Sequence, residues 1–339
     1  MAVGSFPHQQ PDEAMEMIMK YFSGVPLWPQ LPMTHPGEQM YIQFCDGIPG
    51  ITLDAEKEKL TAAPVDDDFF EAMAEAMEQV MNGNLEHFAL PRDKARGFYH
   101  FLESSSRVAG EKPLLVKGQV TGPVSFCLMV TDSQLKPILY DESYRESVVE
   151  VLAMKGAWQL ETLRKIHGDV IIFIDEPYLA SIGSSMVAME AEEGVEMIKR
   201  VMAGIRDRGG YTGIHCCGNT DWGILMGARC DVLSFDAYGY GDNLLLYPGE
   251  IKSFLSDGGV LAWGIVPTSD DVEEETPESL STRLRELLKK LTNRGIPYDT
   301  LVEQAFITPS CGLGNLSVQR AEKVAQLTQE VSRIIREEP

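Results

Sequence analysis

Short apolar runs alternate with longer segments of mixed polarity along the whole chain. Runs bounded by Gly and Pro occur at 2–6, 26–31, 114–120, 170–174, 211–216, 232–235, 260–265 and 305–308. Most are apolar at successive rather than alternate positions, which predicts parallel strands covered on both faces. Between them, segments 11–21, 67–81, 143–167, 187–207, 277–294 and 317–336 carry helical periodicity. In the last of these Val318, Ala321, Val324, Ala325, Val331, Ile334 and Ile335 form one stripe, with Arg and Glu opposite. Thr276 before Pro277 predicts a helix start, because the Thr side chain accepts a backbone N–H and Pro needs no partner for one. Met73, Met77 and Met81 fall at i, i+4 and i+8 and read as core packing.

Eight strands, each followed by helical sequence, predict an α/β chain folded as a (β/α)8 TIM barrel, a single domain over 1–339. No Gly-rich phosphate loop follows the first strand, which argues against a doubly wound open sheet. An insertion is expected at about 33–66, after the second strand. There 41–45 and 50–53 flank Gly47-Ile48-Pro49 as a hairpin, followed by the acidic linker 66–68. Such a hairpin is placed to act as a lid or a docking surface.

Composition narrows the function classes. The 339 residues hold 29 Lys and Arg against 51 Asp and Glu, a formal net charge of −22, which repels phosphate backbones and argues against nucleic acid as a partner. No apolar run is long enough to span a bilayer, and the first residues lack the basic and apolar regions of a signal peptide, so a cytoplasmic protein without a membrane partner is expected. Six Cys are too few for a disulfide scaffold.

In a barrel, chemistry sits at the C-terminal strand ends. The first two strands end in Gly4-Ser5-Phe6-Pro7-His8 and Trp28-Pro29-Gln30, and the third runs through Gln119 to Thr121-Gly122-Pro123. The fourth ends in Asp175-Glu176-Pro177, the fifth in His215-Cys216-Cys217, the sixth in Asp236 and the eighth in Pro309-Ser310-Cys311-Gly312. Strand alternation turns His215 and Cys217 the same way and Cys216 the other. With Cys311 across the mouth they make a three-ligand set for Zn2+ that leaves one position open, the catalytic arrangement. The competing reading is a half-buried His beside core cysteines. Cys230, an alternative third ligand, begins a strand and belongs at the opposite rim, whereas Cys45 and Cys127 read as insertion and core residues. Asp175 and Glu176 point to opposite sides of their strand end. One of them can face the mouth and take an ammonium group, or the pair can cap the following turn. Asp236 is either a cap or a fourth, oxygen ligand. Among the other histidines only His8 is placed to reach the mouth.

These motifs together resemble the catalytic half of cobalamin-independent methionine synthase. That enzyme belongs to a larger group with uroporphyrinogen decarboxylase and the methylcobamide:coenzyme M methyltransferases. Gly4-Ser5-Phe6-Pro7, Thr121-Gly122-Pro123-Val124, Ile174-Asp175-Glu176-Pro177, His215-x-Cys217 and Pro309-Ser310-Cys311-Gly312-Leu313 carry the resemblance across nearly the whole chain. It implies zinc on His215, Cys217 and Cys311, and homocysteine oriented by Ser5 and Asp175. Gln30, Gln119 and Glu176 are further mouth residues. Three departures matter. The additional N-terminal half that helps hold folate is absent from this sequence, Asp236 stands where the synthase has a Glu ligand, and 264–270 lack the synthase's proton-donating His. A folate amine leaves poorly unprotonated, whereas a methylcorrinoid needs no acid. The resemblance therefore implies a zinc-dependent transfer of methyl from methylcobalamin or a related corrinoid, with a corrinoid protein as a partner, to a small-molecule thiol, homocysteine first. A coenzyme M-type thiol, a folate-linked reaction and a non-catalytic zinc-binding carrier are the alternatives.

Overall fold

The computed structural model describes residues 1–54, 56–182 and 187–337. A hairpin pairs β1 (Ile51–Asp54) with β2 (Lys59–Ala62). Six parallel strands follow, β3 (Val116–Thr121), β4 (Val170–Asp175), β5 (Tyr211–Cys216), β6 (Val232–Phe235), β7 (Val260–Val266) and β8 (Ala305–Pro309). They lie side by side in chain order, so each helical connection crosses to the adjacent strand. All six coincide within two residues with predicted runs. Continuous Val/Ile/Phe sequence such as Val170–Asp175 is buried at every position, as a strand covered on both faces requires.

The first two predicted strands, 2–6 and 26–31, form no continuous ladder. They pair through single parallel bridges, Ser5 with Gln30 and Leu27 with Lys117. Pro7, Pro26 and Pro29 lack the amide hydrogens a ladder needs, and the backbone bonds that remain are few. Phe6 N donates to Gln30 O at 2.9 Å, Gln30 N to Gly4 O at 3.1 Å and Lys117 N to Pro26 O at 2.9 Å. On the other side, Leu313 N donates to Ser5 O at 2.9 Å, which links the first segment to the loop after β8. Buried Lys117 adds a side-chain staple by donating to Val3 O from within the sheet's concave side.

Two apolar bodies sandwich the sheet. The larger packs the helices on its outer face. The smaller gathers Ile171, Phe173, Val232 and Ala262 on the inner face, with Met1, Leu115 and Phe306 against them. Gly213 belongs to this inner layer, because a Cβ there would stand 2.6 Å from the Phe173 ring. Helix Glu142–Leu163 is buried on most of its circumference and reaches into the polar network. Trp28 Nε1 donates to Gln159 Oε1 at 2.9 Å, and Gln159 Nε2 donates to Gln119 O at 2.9 Å.

The helix starts follow local chemistry. Thr276 accepts from Ser279 N and heads helix Pro277–Thr292, as its sequence predicts. The stripe of the C-terminal helix, Val318–Glu337, is buried at Ala321, Val324, Ala325, Val331 and Ile335. The methionine stripe is not core packing throughout, since Met81 is 81% exposed at the end of helix Asp67–Met81. Among the described residues no helix is long and apolar enough to cross a membrane.

The insertion holds a hairpin, but not at the predicted place. Residues 40–43 form a helical turn instead of the first arm, and Ile51 pairs with Ala62 across β1 and β2. The sequence around Gly47-Ile48-Pro49 closes in successive tight turns, with Ile48 N donating to Cys45 O and Ile51 N to Ile48 O. Nor does the hairpin's base hang free. Tyr144 Oη donates to Ala63 O at 2.7 Å, and Ala62 N to Thr131 O at 2.9 Å.

One close approach sets a sharp requirement. Gly97, in helix Arg96–Glu103, lies so near the second segment that a Cβ would fall 1.9 Å from Pro29 O, a backbone atom. Gly97→Ala is expected to lower stability by about 1–3 kcal/mol through forced backbone displacement. Urea denaturation checks this, and an unchanged midpoint would contradict the packing described.

Candidate functional site

The strand register assembles the site from one row of side chains. Thr121 pairs with Asp175, Asp175 with His215 and His215 with Ser234, so these four residues stand side by side across β3 to β6 at the C-terminal end. They share the face that carries Phe173 and Val232 one layer deeper. All four are buried, yet Thr121 Oγ1, Asp175 Oδ1 and His215 Nε2 find no hydrogen-bond partner among the described residues. Buried polar atoms are normally paired, so three orphans in one row mark a place where a ligand completes the bonding.

His215 Nδ1 is hydrogen-bonded to Ser234 Oγ at 3.0 Å. With Nδ1–H donating, the Nε2 lone pair is left for a metal, and the ring is held by a second partner in the way metal-bound histidines are. His215 Nε2 or Nδ1, Cys217 Sγ and Cys311 Sγ offer ligand atoms all within 4.8 Å of one another. The two thiols face each other within that distance. The pair shares its charge unequally: Cys217 is pushed up by Cys311, and Cys311 is held well below the ordinary thiol range by Cys217 and His215. One imidazole and two such sulfurs suit zinc in number and softness. The orphaned Nε2 and the donor set therefore fit the metal that the motifs imply.

These three residues line a cavity of about 250 Å³ together with Ser5, Gln30, Glu38, Met40, Asp175 and the Gly312–Asn315 turn. Burial pushes Asp175 up to about 6, against the pull of Lys117 and His215. Glu38 is likewise pushed up by burial, to about 7, while its Oε1 accepts from Arg96 N at 2.9 Å. Glu38 and Met40 belong to the insertion, and no spacing in the sequence ties them to the strand ends. Ser5 is fixed by the turn after β8, its Oγ accepting from Gly314 N at 3.2 Å. A Cβ at Gly312 would come within 2.3 Å of that oxygen, so the first and last motifs meet through two glycines. Gln30 Nε2 donates to Gln43 Oε1 at 2.8 Å, which aims the rest of the amide along the cavity wall.

Three predicted site residues have other work. Glu176 does not line the cavity. Its Oε1 accepts from Val124 N at 2.9 Å, and its Oε2 accepts from Ser125 N at 2.8 Å and Ser125 Oγ at 2.6 Å. It therefore caps helix Pro123–Met129, where the amide ends favour a carboxylate. Gly122 makes room for it, because a Cβ would lie 2.1 Å from Glu176 Cδ. Gln119 also lies off the cavity, donating to Trp28 O at 3.1 Å and accepting from Lys117 Nζ at 3.1 Å. Asp236 is a helix cap, with Oδ1 accepting from Gly239 N at 2.7 Å, and it stands outside the ligand cluster. Of the two predicted readings of that residue, the cap is the one that its hydrogen bond shows.

His8 is buried but does not line the cavity. Cys216 points away, with Sγ donating to Gly218 O at 3.5 Å. Cys230 lies at the opposite end of the sheet, beside a separate cavity of about 750 Å³ near the starts of β6 and β7. None of the site residues reaches that cavity.

The cap at Glu176 yields a test. Glu176→Gln keeps the shape but loses the charge that three donors surround, and a cost of about 1.5–3 kcal/mol is expected. Thermal or urea unfolding measures it, and a variant as stable as the wild type would remove Glu176 from this role.

No protein-family model and no curated protein matches the chain. Among solved structures, a methyltransferase from Methanosarcina mazei is similar over 98% of this chain and 86% of its own, with a TM-score of 0.56 at 14% identity. A B12-independent methionine synthase from Shewanella sp. W3-18-1, in complex with selenomethionine, aligns over 70% of this chain and 67% of its own at 18% identity, with a TM-score of 0.49. The chain shares the fold of the Methanosarcina methyltransferase.

Proposed function

We propose that the chain, as one barrel unit over 1–339 closed by its two N-terminal segments, is a zinc-dependent thiol methyltransferase that converts homocysteine to methionine. The observation that carries this reading is the buried, unpartnered row of Asp175 Oδ1 and His215 Nε2 opening on a cavity shared with Cys217 and Cys311. His215, Cys217 and Cys311 would hold the metal. When bound, zinc supplies the charge that keeps a coordinating thiol deprotonated and nucleophilic at neutral pH.

The remaining groups handle the amino-acid end of the acceptor. Asp175 and Glu38 bring two carboxylates to the wall, and an ammonium group gives Asp175 the partner it lacks. Ser5 and Gln30 offer polar atoms for the acceptor carboxylate. The cavity holds a small molecule in one orientation and limits water at the sulfur, which is the contribution a positioned bimolecular transfer needs most. In the transfer, the acceptor S–CH3 bond forms as the donor–CH3 bond breaks, and the thiol proton is released to solvent.

A methylcorrinoid is the donor this lining favours. Among the described residues no histidine other than His215 lines the cavity, and the loop after β7 contributes no side chain to it. One observation favours a folate-linked second reading. Glu38, with its proton affinity raised to about 7, lines the cavity and is able to hold a proton for a leaving amine.

The deciding experiment supplies zinc-replete protein with homocysteine and either methylcobalamin or methyl-tetrahydrofolate, and follows methionine by mass spectrometry. Methionine from methylcobalamin alone is expected. Formation from the folate would select the second reading, and silence with both would move the acceptor to a coenzyme M-type thiol or the protein to a non-catalytic carrier. Cys311→Ser is expected to lose bound zinc, measured by plasma mass spectrometry, and at least 100-fold of turnover. Full turnover in metal-free Cys311→Ser protein would end the zinc mechanism.

A further inference from the structure

The amide of Gln30 lines the cavity but is aimed from outside it. Its Nε2 donates to Gln43 Oε1 at 2.8 Å, while its Oε1 and its second N–H take no hydrogen-bond partner among the described residues. The oxygen lies over Gly4, another lining residue, where a Cβ would come within 3.0 Å of it. The two ends of an amide are nearly the same size, so shape alone does not settle which one meets a ligand; a neighbouring donor or acceptor does.

Gln43 is that neighbour, and its own direction is fixed. It is fully buried in the helical turn Met40–Gln43. Its Nε2 donates to Lys94 O at 2.6 Å and faces Glu38 Oε2 at 3.4 Å. A backbone carbonyl only accepts, so turning the Gln43 amide over would press its oxygen against Lys94 O and leave buried acceptors unpaired. Gln43 Oε1 therefore faces Gln30 and requires a donor there. Lys94 O is held in place in turn. Lys94 Nζ pairs with Asp46 Oδ2 at 2.7 Å, and Arg96 N donates to Glu38 Oε1 at 2.9 Å. Direction thus passes from a backbone carbonyl through two amides to the cavity.

Resting on the homocysteine reading above, we propose that Gln43 is a positioning residue for the acceptor. It turns Gln30 so that the oxygen, with Asp175, meets the ammonium group and the remaining N–H meets the carboxylate. An α-amino acid carries a donor and an acceptor on adjacent groups, and an amide held one way round offers the complement of both. A thiol with a carboxylate but no amine leaves Gln30 Oε1 and Asp175 Oδ1 unanswered, and a site built to bond a group rejects the analogue that lacks it. Gln43 itself does not line the cavity, so the insertion sets which thiols are accepted without touching them.

Calorimetric titration of zinc-replete protein with homocysteine and with γ-mercaptobutyrate, which lacks only the amine, tests this with no methyl donor present. The wild type is expected to prefer homocysteine. Gln43→Leu is expected to cut that preference about 10-fold, weakening homocysteine and leaving mercaptobutyrate as it was. Gln43→Asn keeps a buried amide but is one methylene too short to span Lys94 O and Gln30. It must shift the preference the same way, and it decides the matter where Gln43→Leu folds poorly. An undiminished preference in folded Gln43→Asn would overturn the assignment, as would an equal loss for both thiols, which is what a merely structural role produces. A wild type that does not distinguish the two thiols would fail the homocysteine reading and this proposal with it, an outcome distinct from a selective wild type and indifferent Gln43 variants.

Discussion

A buried carboxylate seated on a helix N-terminus organises this end of the molecule. Glu176 leaves β4 on the face opposite Asp175 and receives three donors from Val124 and Ser125. Ser125 Oγ in turn accepts from Tyr178 N at 3.0 Å, so the turn after β4 and the helix after β3 are tied twice. Removing a carboxylate from water is costly, and burial pushes Glu176 up to about 7 even against the pull of these donors. The same constraint places its neighbours. Asp175 and Pro177, on either side of Glu176, reach the cavity, and Gly122 carries no side chain because the carboxylate occupies that space. Two motifs distant in sequence, Thr121-Gly122-Pro123-Val124 and Asp175-Glu176-Pro177, are therefore halves of one contact.

The cavity's electrostatics follow from burial. Asp175 and Glu38 are both pushed up, because little water reaches them and the cations near Asp175 compensate only in part. Two carboxylates and two sulfurs within a volume of about 250 Å³ disfavour an anionic head group and favour a cationic one. Lys117 lies below the row, its pKa lowered by burial to about 8 and its ammonium directed to Val3 O and Gln119 rather than to the cavity.

The anchoring of the N-terminal segments has a functional consequence. Ser5 enters the cavity wall only because its segment is held between Gln30 on one side and the Leu313–Gly314 backbone on the other. Prolines make these segments poor strands, and the same prolines leave Ser5 and Gln30 at the ends of short, irregular stretches where their side chains turn inward. The site is thus assembled from segments far apart in the chain, from Val3 to Asn315.

The sequence by itself determined the six parallel strands and their helices, because a strand covered on both faces needs consecutive apolar residues and leaves an unmistakable trace. It also determined the side on which His215 and Cys217 stand, since strand alternation is local, and it put Cys311 at the same end of the sheet, since both motifs close parallel strands. Only the tertiary structure decided between the two roles of each polar strand-end residue. Asp175 and Glu176 are adjacent and chemically alike, yet one meets the cavity and the other a helix N-terminus. Asp236 caps a helix for the same local reason that it resembled a ligand, and Gln119 is spent on Trp28 and Lys117. Glu38 left no trace at all, because the path of the insertion depends on contacts with Arg96 and Tyr144, more than fifty residues away. A hydrogen-bond donor or acceptor has no direction until packing gives it one, and packing is a property of the whole fold.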